Sequence, residues 1–272
     1  MKTRLDVALF ERGMTKSREH ARALIMAGQV LVNGARADKA GTFVTEADAL
    51  TVKEEAIPFV SRGGLKLQKA LTVFPIDLTG AAAADIGAST GGFTDCMLQH
   101  GAAKVYAVDV GYGQLDWSLR NDSRVRVMER TNARYMEPGW FDEPLDFASL
   151  DVSFISLDKM LPPLFACLRD GGQAVALIKP QFEAGKDKVG KHGVVSDPAV
   201  HKEVCSRVIA FAREAGYLVR GLSVSPIKGP KGNVEFLVWL QKFSGADTRG
   251  CGSITELVAD VVDNAHRACI IP

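Results

Sequence analysis

The most constraining feature of this 272-residue sequence is a glycine turn that joins a buried strand to a helix. The apolar run at residues 81–84 is typical of a buried strand, and Phe93, Cys96 and Met97 follow at helix-core spacing. Between them stands Asp85-Ile-Gly-Ala-Ser-Thr-Gly-Gly92. Such a turn lets a ligand approach the backbone, and the helix offers unpaired N–H groups. We therefore predict a nucleotide-like cofactor there, although a glycine turn that binds nothing has the same composition.

The residue types in this turn argue against a dinucleotide. The second glycine of a Gly-x-Gly-x-x-Gly fingerprint, which makes room for a pyrophosphate, is Ser89 here. S-adenosylmethionine has no phosphate at this turn, and Asp85 could accept a hydrogen bond from its amino group. Asp109 ends the next apolar run, where an acidic residue that holds ribose hydroxyls is expected. The predicted cofactor-binding residues are Asp85, Gly87, Ala88, Ser89, Gly91, Gly92, Phe93, Asp109, Asn132 and Asp151.

The composition is that of an ordinary soluble protein, with 47% apolar and 24% charged residues. No run of about 18 apolar residues occurs, and mixed charge follows the first residues, so we expect neither export nor a membrane span. The expected location is cytoplasmic. The five cysteines form no Cys-x-x-Cys pair, so neither a zinc site nor a disulfide framework is predicted, and no metal is expected.

The first segment of the chain is basic and has its own pattern. Residues 1–39 hold eight Lys or Arg against four Asp or Glu. A helix is predicted at residues 4–12, a second helix begins at Ser17 as its N-cap, and an Asn33-Gly34 hairpin turn closes a strand at residues 30–32. Two helices on a small sheet could hold structured RNA through backbone and shape contacts.

Arginines on one side of the second helix carry the same suggestion. Arg18 and Arg22 are four positions apart and hence neighbours, although a solvated helix face explains most isolated arginine pairs. Residues 1–58 resemble an S4 RNA-binding domain in the Arg4-Leu-Asp opening, the Ser17-Arg18 helix start and the Gly28-x-Val-x-Val-Asn-Gly34 turn. The resemblance implies that Arg4, Arg18 and Arg22 contact RNA phosphates.

The rest of the chain alternates strands and helices, which predicts an α/β fold with a parallel, doubly wound sheet. The predicted strands are residues 105–108, 125–128, 146–150 and 173–178, with later runs at 218–224 and 234–240. Only a turn-rich loop separates the last two, so they should pair antiparallel. A Rossmann-like sheet with an antiparallel last strand suits a class I methyltransferase better than a dehydrogenase. We divide the chain into an S4-like domain at residues 1–58, a linker at 59–66 and a methyltransferase domain at 67–272.

A long loop at residues 180–198 is rich in lysine. Loops of this length are usually functional lids or disordered, so a basic lid over an anionic substrate and a merely mobile loop both fit. We add Lys188 of this loop, and Arg62 of the linker, to the candidate RNA contacts.

Four charged residues are predicted to meet at one edge of the sheet. Asp151 and Lys179 follow the ends of parallel strands, where ligands of open α/β sheets bind, and Glu235 precedes the antiparallel strand. Lys66 comes from the linker. Charged groups in apolar strands are costly unless paired, so the group should form a hydrogen-bonded cluster. A purely structural salt-bridge cluster is the alternative.

The order Lys66, Asp151, Lys179, Glu235 resembles the catalytic tetrad of FtsJ-like RNA ribose 2′-O-methyltransferases. With the S4-like segment in front, the chain is similar to the TlyA family of rRNA 2′-O-methyltransferases, which often carry a haemolysin label. The resemblance rests on blocks beginning at Arg62, Asp85, Leu150, Ile178 and Gly232, and it covers nearly the whole chain. It implies methylation of ribosomal RNA, with cytidine in assembled subunits as the expected target.

The proposed chemistry fits these residue types. A ribose 2′-hydroxyl must lose its proton as it attacks the sulfonium methyl, and Lys179 is the candidate base or the group that orients the hydroxyl. The two carboxylates favour the charged lysine, whereas Lys66 and the sulfonium disfavour it, so both roles remain open. Neither the block that begins at Leu150 nor the block that begins at Ile178 contains the cysteine nucleophile of a cytosine-C5 enzyme. No Asn-Pro-Pro-Tyr-like motif indicates an amine methylase.

Two other functions are compatible with parts of the sequence. A membrane-acting haemolysin would need a spanning segment or a basic amphipathic helix, but the helix predicted at residues 254–266 is largely acidic. An RNA-binding protein with an inactive methyltransferase fold is the other alternative. The complete turn and tetrad argue against it, and cofactor binding would distinguish the two. The oligomeric state is left open by the sequence.

Overall fold

The chain divides into two units, Met1–Ile57 and Pro58–Pro272. The computed structural model describes residues 2–15, 17–26, 28–52, 57–243 and 254–268. Phe59 is buried in the core of the second unit together with Leu67. Part of the segment expected to be a linker, residues 59–66, therefore packs as a component of the second unit.

The first unit has two short helices and short strands. Its elements are β1 (Thr3–Arg4), α1 (Leu5–Glu11), α2 (Arg18–Met26), β2 (Val30–Val32), β3 (Ala35–Arg36), β4 (Phe43–Val44) and β5 (Leu50–Val52). The Ser17 hydroxyl accepts a hydrogen bond from the His20 N–H at 3.1 Å, which confirms Ser17 as the N-cap of α2. Asn33 and Gly34 have φ of 52° and 81°, the left-handed values of a tight hairpin between β2 and β3. Leu5, Leu9 and Ile25 are fully buried between the helices and the strands.

The second unit is built on a seven-stranded sheet in the order β11-β12-β10-β9-β6-β7-β8. The strands are β6 (Ala82–Ile86), β7 (Lys104–Val108), β8 (Val125–Met128), β9 (Leu145–Leu150), β10 (Leu168–Ile178), β11 (Tyr217–Val224) and β12 (Phe236–Lys242). All neighbours pair in parallel except β12, which is antiparallel to both β10 and β11. The predicted doubly wound sheet with an antiparallel last strand is confirmed.

Helices cover both faces of this sheet. They are α3 (Gly64–Val73), α4 (Gly92–Gln99), α5 (Trp117–Arg120), α6 (Leu161–Cys167), α7 (Pro180–Glu183), α8 (Pro198–Glu214) and α9 (Ile254–Ala268). Successive strand residues point to opposite faces, so Phe147 belongs to the core with α3, α4 and α5, and Ala148 to the core with α6, α8 and α9. Two apolar cores thus fix the strand ends that position the candidate site.

The helix α9 docks on α8, as its predicted amphipathic pattern requires. Val258 and Val262 are buried in the shared core. The fully buried His201 of α8 donates from Nε2 to the Val195 carbonyl at 3.0 Å, and its Nδ1 lies 2.9 Å from His266 Nε2 of α9. Burial lowers the pKa of His201, so the ring is neutral and its Nδ1 accepts from His266.

Two observations concern the expectations about membrane spans and cysteines. None of the helices in the described part of the chain is both long enough and apolar enough to cross a membrane. Cys96, Cys167 and Cys205 are buried free thiols, whereas Cys251 and Cys269 lie outside the described residues.

Candidate active site

The glycine turn follows β6 and begins α4, as the sequence predicts. Gly87 has φ +89°, and a Cβ atom there would lie 2.7 Å from the Asp151 carbonyl oxygen. The Asp151 N–H donates to the Ile86 carbonyl at 3.0 Å, so the ends of β6 and β9 converge at this glycine. Ser89 also has a positive φ, of 49°. Glycine is required at position 87 because no side chain fits between the two strand ends.

The carboxyl group of Asp85 is fully buried beneath this turn. It accepts hydrogen bonds from the Thr94 N–H at 2.9 Å, the Thr94 hydroxyl at 2.7 Å and the Ser149 hydroxyl at 3.2 Å. Burial raises its pKa from 3.8 to about 7 in spite of these bonds. Asp85 therefore ties α4 to the sheet, and its predicted bond to the amino group of a cofactor stays a prediction.

The four charged residues form one continuous chain of ion pairs. Lys66 Nζ of α3 lies 2.7 Å from Glu235 Oε2 and 3.3 Å from Asp151 Oδ2. The other Asp151 oxygen pairs with Lys179, whose Nζ also donates to the Ser153 hydroxyl at 3.1 Å. Lys66 and Lys179 are each 7% exposed and Glu235 is 1% exposed. Three of the four charged residues are thus buried and Asp151 is half-buried, with two residues of each sign, and the predicted convergence is observed.

The cluster and the glycine turn open into the same cavity, of about 540 Å³. Its volume lies in the range of ligand pockets, roughly 300–1,000 Å³. All four members of the cluster line it, including Asp151, which is also a predicted cofactor residue. Six further predicted cofactor residues line it as well, namely Asp85, Gly87, Ala88, Ser89, Gly92 and Phe93.

Three predicted cofactor residues do not line this cavity. Asp109 accepts the N–H groups of Ser89 at 2.7 Å and Gly111 at 2.6 Å, so it fastens the glycine turn to the end of β7. A Cβ on Gly91 would lie 2.3 Å from Leu119 Cδ1, so packing against Leu119 explains why a glycine stands at this position. The exposed Asn132 caps a short helical turn, where its side chain accepts from the Arg134 N–H. Their cofactor roles stay predictions.

An aromatic pair on the cavity wall was missed by the sequence analysis. Phe154 is 90% exposed and has φ +63°, a left-handed conformation that is rare for a bulky side chain. Its ring centroid lies 4.9 Å from that of Phe182, and both residues line the cavity. The signal available in the sequence was an aromatic residue three positions after Asp151, in the loop that follows β9.

The predicted lid is partly ordered by contacts with the cavity rim. Within residues 180–198, the chain forms α7 and a short helical turn at Lys186–Lys188. Asn233 donates to the Gly193 carbonyl at 3.0 Å and accepts from the Val195 N–H at 3.0 Å. Lys188 pairs with Glu203 at 2.6 Å and does not line the cavity. This part of the loop is therefore anchored beside the site.

The remaining predicted RNA contacts are solvent-accessible. Arg62 is exposed and follows Ser61, which lines the cavity. Arg4, Arg18 and Arg22 lie in the first unit, where all three pair with the carboxylate of Asp6.

Comparison with known protein families assigns both units. Residues 59–242 match the model of the FtsJ-like methyltransferase family, and residues 3–50 match that of the S4 domain.

The similar proteins span almost the whole chain. A Bacillus subtilis protein described as "Putative rRNA methyltransferase YqxC" is 51% identical and covers 98% of this chain and 95% of its own. The "16S/23S rRNA (cytidine-2′-O)-methyltransferase TlyA" of Mycobacterium tuberculosis is 47% identical, with 88% and 90% covered. The solved structure of a "Putative hemolysin from Streptococcus thermophilus" is 48% identical and superposes with a TM-score of 0.80 over 99% of this chain and 97% of that one.

The contact at Gly87 predicts a large cost for Gly87→Ala. A non-glycine residue in the left-handed region costs about 1–2 kcal/mol, and the clash with the Asp151 backbone adds to it. Gly80→Ala is the matched control, because Gly80 has φ +73° but no heavy atom within 4 Å of a Cβ. Denaturant unfolding should show the larger loss of unfolding free energy for Gly87→Ala. Equal losses would contradict a role for the strand contact.

Burial of Asp85 predicts a pH-dependent stability difference from Asp85→Asn. The folded-state pKa of about 7 exceeds the ordinary 3.8, so between these values the folded protein binds a proton that the unfolded chain releases. The unfolding free energy of the wild type should fall relative to Asp85→Asn as the pH rises from 4 to 7, by about 1.4 kcal/mol per pH unit. Above pH 7 the difference should level off. Denaturant titrations at several pH values measure it, and a constant difference would disprove the shift.

Proposed function

Because this chain belongs to the FtsJ-like methyltransferase family and carries an S4 domain in front, we propose that it methylates a ribose 2′-hydroxyl of ribosomal RNA. The methyl donor is S-adenosylmethionine. By the name of its Mycobacterium tuberculosis relative, the proposed target nucleotide is cytidine. The observation that carries the proposal is the ion-pair chain of Lys66, Asp151, Lys179 and Glu235, in the cavity that the glycine turn also lines.

The cavity suits a cofactor that lacks phosphates. Lysines of the cluster are already paired with carboxylates, and Asp85 offers a buried carboxyl group at the turn. We assign Gly87, Ala88 and Ser89 to its backbone contacts, and Asp109, at the end of β7, to the ribose side. S-adenosylmethionine supplies an electrophilic methyl group when it is bound.

Lys179 is the residue that binds the reacting hydroxyl in this proposal. Its direct ion pair with Asp151 supports the ammonium form, so Lys179 donates a hydrogen bond to the 2′-oxygen and aligns it for attack. A bound donor would release the methyl group by cleavage of its carbon–sulfur bond, with the electron pair going to sulfur, and the proton on the methylated oxygen would then be strongly acidic. This proton can then leave to the Asp151 carboxylate or to solvent. Lys66 and Glu235 keep Asp151 in place and the cluster neutral.

Phe154 and Phe182 are suited to hold the base of the target nucleotide. RNA-binding proteins stack unpaired bases on exposed aromatic side chains, and these two rings line the cavity near Lys179. Lys179 Nζ lies 6.0 Å from the Phe182 ring centroid. A base stacked there would carry its own ribose toward the ammonium group.

Contacts with the rest of the RNA would come from basic residues of both units. Arg4, Arg18 and Arg22 of the S4 domain and Arg62 and Lys188 of the second unit are the proposed phosphate contacts. The proposed partner is the ribosomal subunit, and the expected location is therefore the cytoplasm.

Lys179→Ala should abolish methyl transfer, by about a thousandfold or more, because the hydroxyl loses the group that aligns it. Cofactor affinity, measured by calorimetry, should stay close to that of the wild type. Ribosomal RNA treated with enzyme and radiolabelled cofactor gives both the rate and the position of the methyl group. The control Lys159→Ala removes a lysine whose side chain is 54% exposed. A methyl group on a base would refute the proposed reaction, and a Lys179→Ala rate near the wild type would refute the role of Lys179.

The strained backbone of Phe154 allows stacking and stability to be separated. Phe154→Ala and Phe154→Asn both remove the ring, so both should raise the KM for RNA about tenfold or more. Asparagine tolerates the left-handed conformation better than alanine, so Phe154→Asn should unfold with a free energy about 1 kcal/mol higher than Phe154→Ala. Steady-state kinetics and denaturant unfolding measure the two effects. A wild-type KM in either variant would exclude the stacking role.

A further inference from the structure

The first unit contains a fully buried carboxylate that is shared by three arginines. Asp6 lies in the first turn of α1 with its side chain 0% exposed. Arg4 Nε lies 3.0 Å from Asp6 Oδ1, and Arg22 Nε lies 2.9 Å from Oδ2. Arg18 approaches Oδ2 to 3.6 Å. Three cationic groups from β1 and α2 are thus held at one carboxylate.

Asp6 is charged in this environment. The hydrogen bond from Arg4, followed by that from Arg22, keeps the pKa of Asp6 well below its ordinary range, although burial opposes the shift. A buried charge of this kind persists only when it is paired. If the arginines moved away from Asp6, the buried carboxylate would be left unpaired, which is energetically costly.

The side chains of the three arginines remain partly exposed to solvent, and the cluster carries an excess of positive charge. Their side chains are 44%, 45% and 47% exposed for Arg4, Arg18 and Arg22. Asp6 and the exposed Glu19, which interacts electrostatically with Arg22 and Arg18, neutralise two of the three positive charges, so the group retains one. Each guanidinium has five N–H donors, more than a single carboxylate can accept from all three. The cluster can therefore bind a further anion while its members stay on Asp6.

We propose that Asp6 is a positioning residue for RNA binding, an inference that rests on the proposed function. It fixes three long side chains in advance, so that they meet the phosphates of the RNA backbone as one preformed group. Long basic side chains lose considerable rotamer entropy when a ligand immobilises them, and here that loss occurs on folding. Planar guanidiniums held in this way also match phosphate geometry.

The proposal predicts a change in RNA affinity opposite to the one that net charge alone would give. Asp6→Asn makes the first unit more positive by one charge, and simple charge attraction would then tighten RNA binding. Loss of positioning should instead raise the Kd for ribosomal RNA by about tenfold. It should also make the slope of log Kd against log salt shallower, since fewer phosphates are contacted.

The experiment measures the Kd of the full chain for purified ribosomal RNA at several salt concentrations, below the unfolding temperature of each variant. Glu46→Gln is the matched control, because it makes the same charge change at an exposed position of the same unit. It should bind as tightly as the wild type or more tightly. Cofactor affinity, a property of the second unit, should be unchanged in both variants. Tighter or equal binding by Asp6→Asn would overturn the proposal.

Arg22→Lys tests the same idea with Asp6 intact and the net charge unchanged. An ammonium group lacks the fork that reaches Asp6 through Nε, so RNA binding should weaken several-fold. Wild-type affinity in this variant would show that a point charge suffices, and would overturn the positioning role even if Asp6→Asn does not fold. A wild-type chain that does not bind ribosomal RNA overturns the proposed function as well. A wild-type chain that binds and methylates, with variants that bind equally well, overturns only the role of Asp6.

Discussion

The pairing of buried opposite charges is the interaction on which the rest of the second unit depends. A lone lysine or carboxylate at the depth of Lys66 or Glu235 would cost several kcal/mol. The 2.7 Å contact between the two, together with the contact of Lys66 with Asp151, offsets this cost. The partners come from positions 66, 151, 179 and 235, so the pairs form only when the whole sheet is assembled. The antiparallel direction of β12 is essential, because it brings the start of that strand to the edge where β9 and β10 end.

Much of this arrangement could be predicted from the sequence because its signals are local or follow from strand direction. The strands were recognisable as apolar runs, and polar residues directly after them had to meet at one edge. Phe154 could not be predicted in this way, since its importance comes from a backbone angle and a neighbour that is 28 positions away in the sequence. The contacts of Asp6 could not be predicted from the sequence either. Its spacing to Arg4 was visible, but nothing in the sequence showed that Arg18 and Arg22 fold back onto the same carboxylate.

Several features of the cavity wall reduce stability. Asp85 is buried with a raised pKa, and Phe154 holds a strained backbone beside solvent. The two apolar cores on either face of the sheet offset these costs, since they include fully buried residues of β6, β9 and β10. The site thus stands on fully buried strands, and its unfavourable features lie at strand ends and loops.

The hydrogen bonds of His201 connect parts of the chain that are remote in sequence. One ring nitrogen holds the carbonyl of Val195, whose N–H is bound by Asn233 at the cavity rim, and the other accepts from α9. A shift of α9 would therefore alter the support of the cavity rim without touching any of the four charged residues. Substitutions in α9 can in this way change the shape of a cavity rim that lies far from them in the sequence.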